Sequence, residues 1–366
     1  MSKNLRFLII CAIAIFIGVK LSSFTIPING QPVLFKSFIP NIVVPAETLF
    51  PIANLPVLGQ FDMTNTLFTT LIVDAIIIII VLAAKSGITG GRVTTFMGNA
   101  LESFVELLYK NYMLPTLGAR TKAVVPIAVS AFLFILISGF LELVPGVESI
   151  GKLEPAHAGL RGWCAVNVGS EHNPTALITG VEVKEGESYE KVCGYKPFAQ
   201  SQYGELVAST SVSAEAHVGG YAMIPYLRRP TSSLSTTLAL ALVAFIFIEI
   251  QGIKANGSHY FSRFFNGHAL EQGRTGMMRG LIGNISAVVG ILELLSEFIR
   301  IVSFSFRLFG NMFAGTVLVL VMMSILPVFI PTVFLGLEFG VAVIQAFVFL
   351  MLITVFTSLA VAHSEH

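Results

Sequence analysis

Five apolar runs, near 66–84, 124–144, 232–250, 301–326 and 332–362, are each long enough to cross a hydrocarbon core of about 30 Å. Their spacing points to an all-α polytopic membrane protein. Composition agrees: 12% of the residues are charged, where soluble domains carry about 25%, and 54% are apolar. A formal net charge of +1 gives no general attraction to nucleic acid.

A sixth apolar run, "FLIICAIAIFIGV", follows Lys3 and Arg6 and resembles the charged and apolar regions of a signal peptide. No small-residue cleavage site follows it, so the run is read as an uncleaved signal-anchor helix, with a removed signal as the alternative. The pattern of a mitochondrial transit peptide is absent, which favours a bacterial plasma membrane. Cys11 lies inside this run. Cys164 and Cys193 share one polar segment without metal-ligand spacing, and a disulfide between them is compatible with an oxidising compartment.

Loop charge sets the expected orientation. Residues 85–122 carry Lys85, Arg92, Lys110, Arg120 and Lys122 against two acids, and 252–284 carry Lys254, Arg263, Arg274 and Arg279 against Glu271. Both loops read as cytoplasmic. Residues 146–227 carry five basic and nine acidic side chains, a net of −4, and read as external. Arg228 and Arg229 argue weakly the other way. Six crossings with both termini inside satisfy this pattern. The organisation is then 1–64, an anchor-like helix and external segment; 65–145, the first membrane helices; 146–227, an external insertion; and 228–366, the C-terminal membrane helices.

Two stretches are unusual. Within 93–113, Phe96, Met97, Ala100, Leu101, Phe104, Leu107 and Leu108 share one helical face, while Asn99, Glu102, Ser103, Glu106 and Lys110 share the other. That predicts an amphipathic helix on the cytoplasmic membrane surface. From Ile285 to Leu326 no proline interrupts the pattern, giving a helix of roughly 63 Å, and Thr332–Ala362 gives roughly 46 Å. Such a pair, broken at Pro327 and Pro331, is expected to form a strongly tilted helical hairpin; two ordinary spans with cytoplasmic extensions are the alternative. In the insertion, 176–183 and 189–193 read as short strands around a "KEGE" turn.

No phosphate-binding loop occurs, so the chain lacks a nucleotide site of its own, and no catalytic residue, metal-ligand cluster or cofactor is expected. The chemistry falls to sparse polar groups on the last two helices. Arg307 has no acidic residue within nine positions before it or ten after it. An arginine at membrane depth costs about 2.5 kcal/mol or more. Ser303, Arg307 and Asn311 share one face at i, i+4, i+8. Glu293 lies within about 40° of that face and about 21 Å before Arg307 along the axis. Glu338 and Gln345 share a face of the final helix. With the helices antiparallel and Gln345 opposite Arg307, Glu338 falls opposite Ala314, next to Thr316. Bland readings exist for each: helix packing for Arg307, interhelical hydrogen bonds for Glu338 and Gln345, an interfacial carboxylate for Glu293, back-bonding for Ser303. Asp74 reads as a helix-packing polar group, and His157, His172 and His217 as solvated loop residues.

"SEFIRIVSFSFRLFGNMFAG" at 296–315, with "LGLEFGVAVIQAFVF" downstream, resembles subunit a of F-type ATP synthases. "LELVP" at 141–145 and "PTSSLSTTLALAL" at 230–242 resemble two further segments of that family, in order, so the likeness spans roughly 60–145 and 228–366. The resemblance implies a stator subunit with two offset half-channels for protons, H+ ahead of Na+. Its partners would be a ring of c-subunits, a peripheral-stalk subunit b and the lipid bilayer. It implies that Arg307 faces the ring carboxylates and separates the half-channels, with Glu293, Ser303, Asn311, Glu338, Gln345 and Glu142 along the proton path. Thr316 departs from the pattern, since many relatives carry an ionisable residue there; Glu338 can supply that group. The insertion 146–227 is longer than the loop of better-known relatives. A secondary transporter would call for internal repeats, which are not visible, and a scaffold needs no buried arginine.

Overall fold

A computed structural model describes residues 23–28, 31–36, 46–55, 59–86, 88–89, 92–93, 96–144, 147, 150–156, 161–167, 176–184, 187, 189–194, 220–257, 260, 277–325 and 329–362. In chain order the elements are strands β1 (Ser23–Ile28), β2 (Gln31–Lys36), β3 (Thr48–Leu55) and β4 (Gly59–Thr64), then helix α1 (Asn65–Ser86). The short strands β5 (Ile88–Thr89) and β6 (Arg92–Val93) precede α2 (Phe96–Leu108) and α3 (Thr121–Glu142). The insertion holds β7 (Gly151–Pro155), β8 (Gly162–Asn167), β9 (Ala176–Val183), α4 (Tyr189–Cys193) and β10 (Tyr221–Pro225). Helices α5 (Leu234–Asn256), α6 (Met277–Ile325) and α7 (Phe329–Ala362) complete the chain.

Among the described residues five helical stretches are long and apolar enough to cross a membrane: Asn65–Lys85, Gly98–Glu142, Leu234–Asn256, Leu295–Ser324 and Pro331–Val361. The protein is a multi-pass membrane protein with an all-α membrane part. The expected sixth crossing at 7–19 lies outside the described residues. Helix α6 is 49 residues long and α7 is 34, both longer than the sequence suggested. Pro331 stands in the first turn of α7 instead of breaking the chain before it. A proline is tolerated there because first-turn N–H groups have no intrahelical partner.

The chain forms two compact units, one of residues 1–65, 144–228 and 314–338, the other of 66–143, 229–313 and 339–366. In the first, β7, β10, β8 and β9 make a four-stranded antiparallel sheet in that order. Cys164 on β8 is bonded to Cys193 at the end of α4, with Cα atoms 5.7 Å apart. Residues 189–193 are thus a helical turn, not the strand expected from their valine and tyrosine. The reason is local. The Tyr189 hydroxyl donates to the Ala165 carbonyl (3.0 Å) and accepts from its N–H (2.9 Å), which pins the segment end-on to β8. The turn before it is present: the Glu187 N–H donates to the Lys184 carbonyl at 3.0 Å. Buried Asn65 ties the entry of α1 to this unit, its N–H donating to the Glu47 carbonyl (3.0 Å) and its amide to Glu47 Oε2 (3.3 Å).

The second unit holds the apolar core. Small residues on α5 (Ala241, Ala244) and α7 (Ala342, Ala346) are buried at helical spacing among Phe132, Ile135, Ile248, Leu308, Phe349 and Ile353. Small residues let membrane helices approach closely, since lipid supplies no hydrophobic drive for association. Gly139 shows the fit: a Cβ there would stand 2.5 Å from that of Ala342. The amphipathic helix α2 buries Leu108 and packs Phe104 at a tilt against Phe132 (ring centroids 5.2 Å apart), while Glu102, Ser103 and Glu106, with Lys110 just beyond its end, stay exposed. Gly118, at φ +56°, ends that helical run and redirects the chain into α3.

Candidate functional site

Helix α6 presents two unlike faces. Phe304, Ser305, Leu308 and Met312 are buried, whereas Ser303, Phe306, Arg307, Gly310, Asn311 and Ala314 are exposed. Positions 303, 307, 310, 311 and 314 follow the i, i+4, i+7, i+8 spacing of one helical stripe. Arg307 therefore sits on an outward stripe, and among the described residues no carboxylate pairs with it. The two small residues beside it leave that stripe low. At Gly310 a Cβ would meet nothing within 4 Å.

Polar side chains lie before and after Arg307 along α6. Asn311 donates from Nδ2 to Gln345 Oε1 at 2.9 Å, and Gln345 is buried. The expected register set Gln345 against Arg307; the amide lies one helical turn further along α6, where another amide can satisfy it. In the other unit, Glu338 on α7 is buried with its carboxylate against Gly315 of α6. A Cβ at 315 would come 2.5 Å from Glu338 Oε1, so the last glycine of "RLFGNMFAG" makes room for that carboxylate. Ser303 is exposed, and Glu293 lies on α6 with its side chain outside the described residues. Earlier on α6, Glu297 pairs with Arg300 (2.6 Å), whose guanidinium lies 4.2 Å over the Phe356 ring.

Glu142 is not a lone carboxylate at a span end. It forms a buried ion pair with Arg229, the side chains 6% and 0% exposed. Arg229 Nη1 also contacts Met312 Sδ at 3.2 Å. Nearby, Ser138 and Thr231 hydroxyls meet at 3.4 Å, and Thr237 and Ser305 at 3.3 Å. Sequence reasoning used Arg229 only as a charge bearing on orientation and missed its role here. The available signal was positional: opposite charges end one apolar run and open the next, on either side of the insertion. Asp74, expected to pack between helices, is exposed on α1 and makes no hydrogen bond or ion pair with a described residue. Among the described residues no group of three or more histidine, cysteine or acidic side chains could hold a metal ion.

These features define a polytopic helical membrane protein whose longest helix carries an arginine on an exposed stripe, with no carboxylate partner among the described residues. The chain belongs to the ATP synthase A chain family, whose model matches residues 67–358. It is similar to ATP synthase subunit a of Sulfurihydrogenibium sp., 34% identical over 144 residues, and of Campylobacter curvus, 38% identical over 144 residues. Each match covers 39% of this chain and spans 63% and 58% of those relatives' length. Subunit a of Helicobacter hepaticus is 32% identical over 182 residues, 48% of this chain and 74% of the relative.

Proposed function

We propose that this chain is the proton-conducting stator subunit of a rotary F-type ATP synthase. Arg307 carries the reading: a permanent cation at membrane depth, on an exposed stripe, with no carboxylate partner among the described residues. A guanidinium cannot be deprotonated in a protein, so Arg307 cannot relay a proton. It can attract a carboxylate on a facing helix once that group has lost its proton. At 4 Å and an effective dielectric near 20 the attraction is about 4 kcal/mol. That partner would belong to a ring of c-subunits turning past α6.

Glu293 and Ser303 would line the cytoplasmic half-path, and Asn311, Gln345 and Glu338 the external one. Both would stop short of Arg307. The fixed charge bars direct passage between them; a proton crossing 100 mV yields about 2.3 kcal/mol, which a leak would dissipate. Each proton must then board the ring and travel round it. Tilt of the α6–α7 pair would keep both half-paths against the ring, with H+ as coupling ion and a subunit b helix as the stationary partner. The setting would be a bacterial plasma membrane, termini on the cytoplasmic side.

The test is Arg307→Ala in membrane vesicles, measuring proton flux coupled to ATP synthesis. Coupled synthesis should vanish. Retained coupled synthesis sinks the reading, as does purification of the intact chain without small ring-forming subunits.

A further inference from the structure

Arg229, paired with Glu142, contacts the face of α6 opposite Arg307. Ser305, Leu308 and Met312 form that buried stripe, and Arg229 reaches Met312 while Thr237 reaches Ser305. Met312 is fully buried and adjoins Asn311, whose amide is bonded to Gln345. So one buried cation touches α6 at the level where its outward stripe carries the Asn311–Gln345 bond. A contact there fixes the rotation of α6 about its axis, and with it the direction in which Arg307 points.

The same pair constrains Glu142. A proton carrier must alternate between charged and neutral forms. The Arg229 side chain has no solvent exposure, and losing the Glu142 charge would remove the carboxylate paired with that buried guanidinium. Breaking a buried pair by removing one partner is far more damaging than replacing both by neutral groups. We infer that Arg229 is a positioning residue for α6 and that Glu142 is its permanently ionised counter-ion, not a carrier on the proton path. The inference rests on the proposed function, in which the orientation of Arg307 decides coupling.

The experiment compares Glu142→Gln, Arg229→Met and the double variant in vesicles carrying the assembled complex, with Arg307→Ala alongside. The readouts are ATP-driven proton pumping and its pH profile. Each single variant should lose at least about tenfold of pumping, and the double should recover to within about threefold of the parent, its pH profile unshifted. A double variant no better than Glu142→Gln overturns the inference, because removing a neighbour cannot replace a lost carrier. A shifted pH profile in a recovered double does the same. If Glu142→Gln fails to assemble, assembly becomes the readout: recovery in the double supports the inference and continued failure overturns it. Retained pumping in Arg307→Ala would instead overturn the proposed function, however the pair behaves.

Discussion

Asn311 and Gln345 join α6 to α7 through a hydrogen bond of 2.9 Å, one turn beyond Arg307. Gln345 is buried, so removing the Asn311 amide leaves a buried group unsatisfied. A buried polar group stranded in this way costs about 1–3 kcal/mol. Asn311→Leu is therefore expected to lower coupled ATP synthesis by about tenfold or more. Asn311→Gln, which keeps an amide on a longer stem, should retain more activity than leucine. Equal rates for the two substitutions, in parallel vesicle assays, would remove the hydrogen bond from the account.

Two glycines of one motif separate intramolecular from intermolecular packing. Gly315 faces the Glu338 carboxylate, and an added methyl would need that oxygen, 2.5 Å away, to shift. That oxygen is the far end of a flexible side chain, so the methyl displaces the carboxylate instead of distorting the backbone. Gly315→Ala should depress proton conduction much as Glu338→Gln does, and combining the two should add little. At Gly310 nothing among the described residues lies within 4 Å of the added methyl. Gly310→Ala should then leave the thermal stability of the isolated chain unchanged while weakening its association with the ring. A loss of stability without loss of association would place the crowding inside the chain.

Periodicity and charge made the membrane helices readable because lipid leaves a backbone few options: each of the five apolar runs overlaps a helix of membrane-crossing length. Helix ends were less legible. Gly280, Gly283 and Asn284 are poor helix formers and read as loop, yet α6 continues through them from Met277. Arg307 could be singled out because its own stretch offers no counter-ion. Arg229 could not, since its partner Glu142 lies 87 positions earlier, beyond an insertion whose closure brings the two together. The strands at 23–64 also escaped notice, their prolines and short apolar stretches resembling linker more than sheet.

The Cys164–Cys193 bond closes a separation of 29 residues. By loop-entropy reasoning a crosslink of that span contributes about 3–4 kcal/mol to its subdomain. Replacing both cysteines with serine should make the segment 150–225 a preferred cleavage region under mild proteolysis, with the membrane helices spared. With Cys11→Ser removing the third thiol, a membrane-impermeant maleimide should label the chain only after reduction, and only from the external side. Labelling from the cytoplasmic side would reverse the expected orientation.

Glu47 offers a pH test outside the membrane. Burial pushes its carboxyl above the usual carboxylate range; nearby Arg228 opposes that shift and Glu154 adds to it. The folded chain thus binds this proton more tightly than the unfolded chain. Its contribution to stability is complete below the unfolded value and declines as pH rises through the folded one. Glutamine at 47 cannot ionise, but its carbonyl can still accept from the Asn65 amide, as Glu47 Oε2 does. Glu47→Gln should accordingly flatten the pH dependence of amide protection at Asn65, whose N–H is held by the Glu47 carbonyl, and raise protection at neutral pH. Hydrogen exchange corrected for intrinsic rates measures this directly. A slope in the variant equal to the parent's would assign the titration to another group.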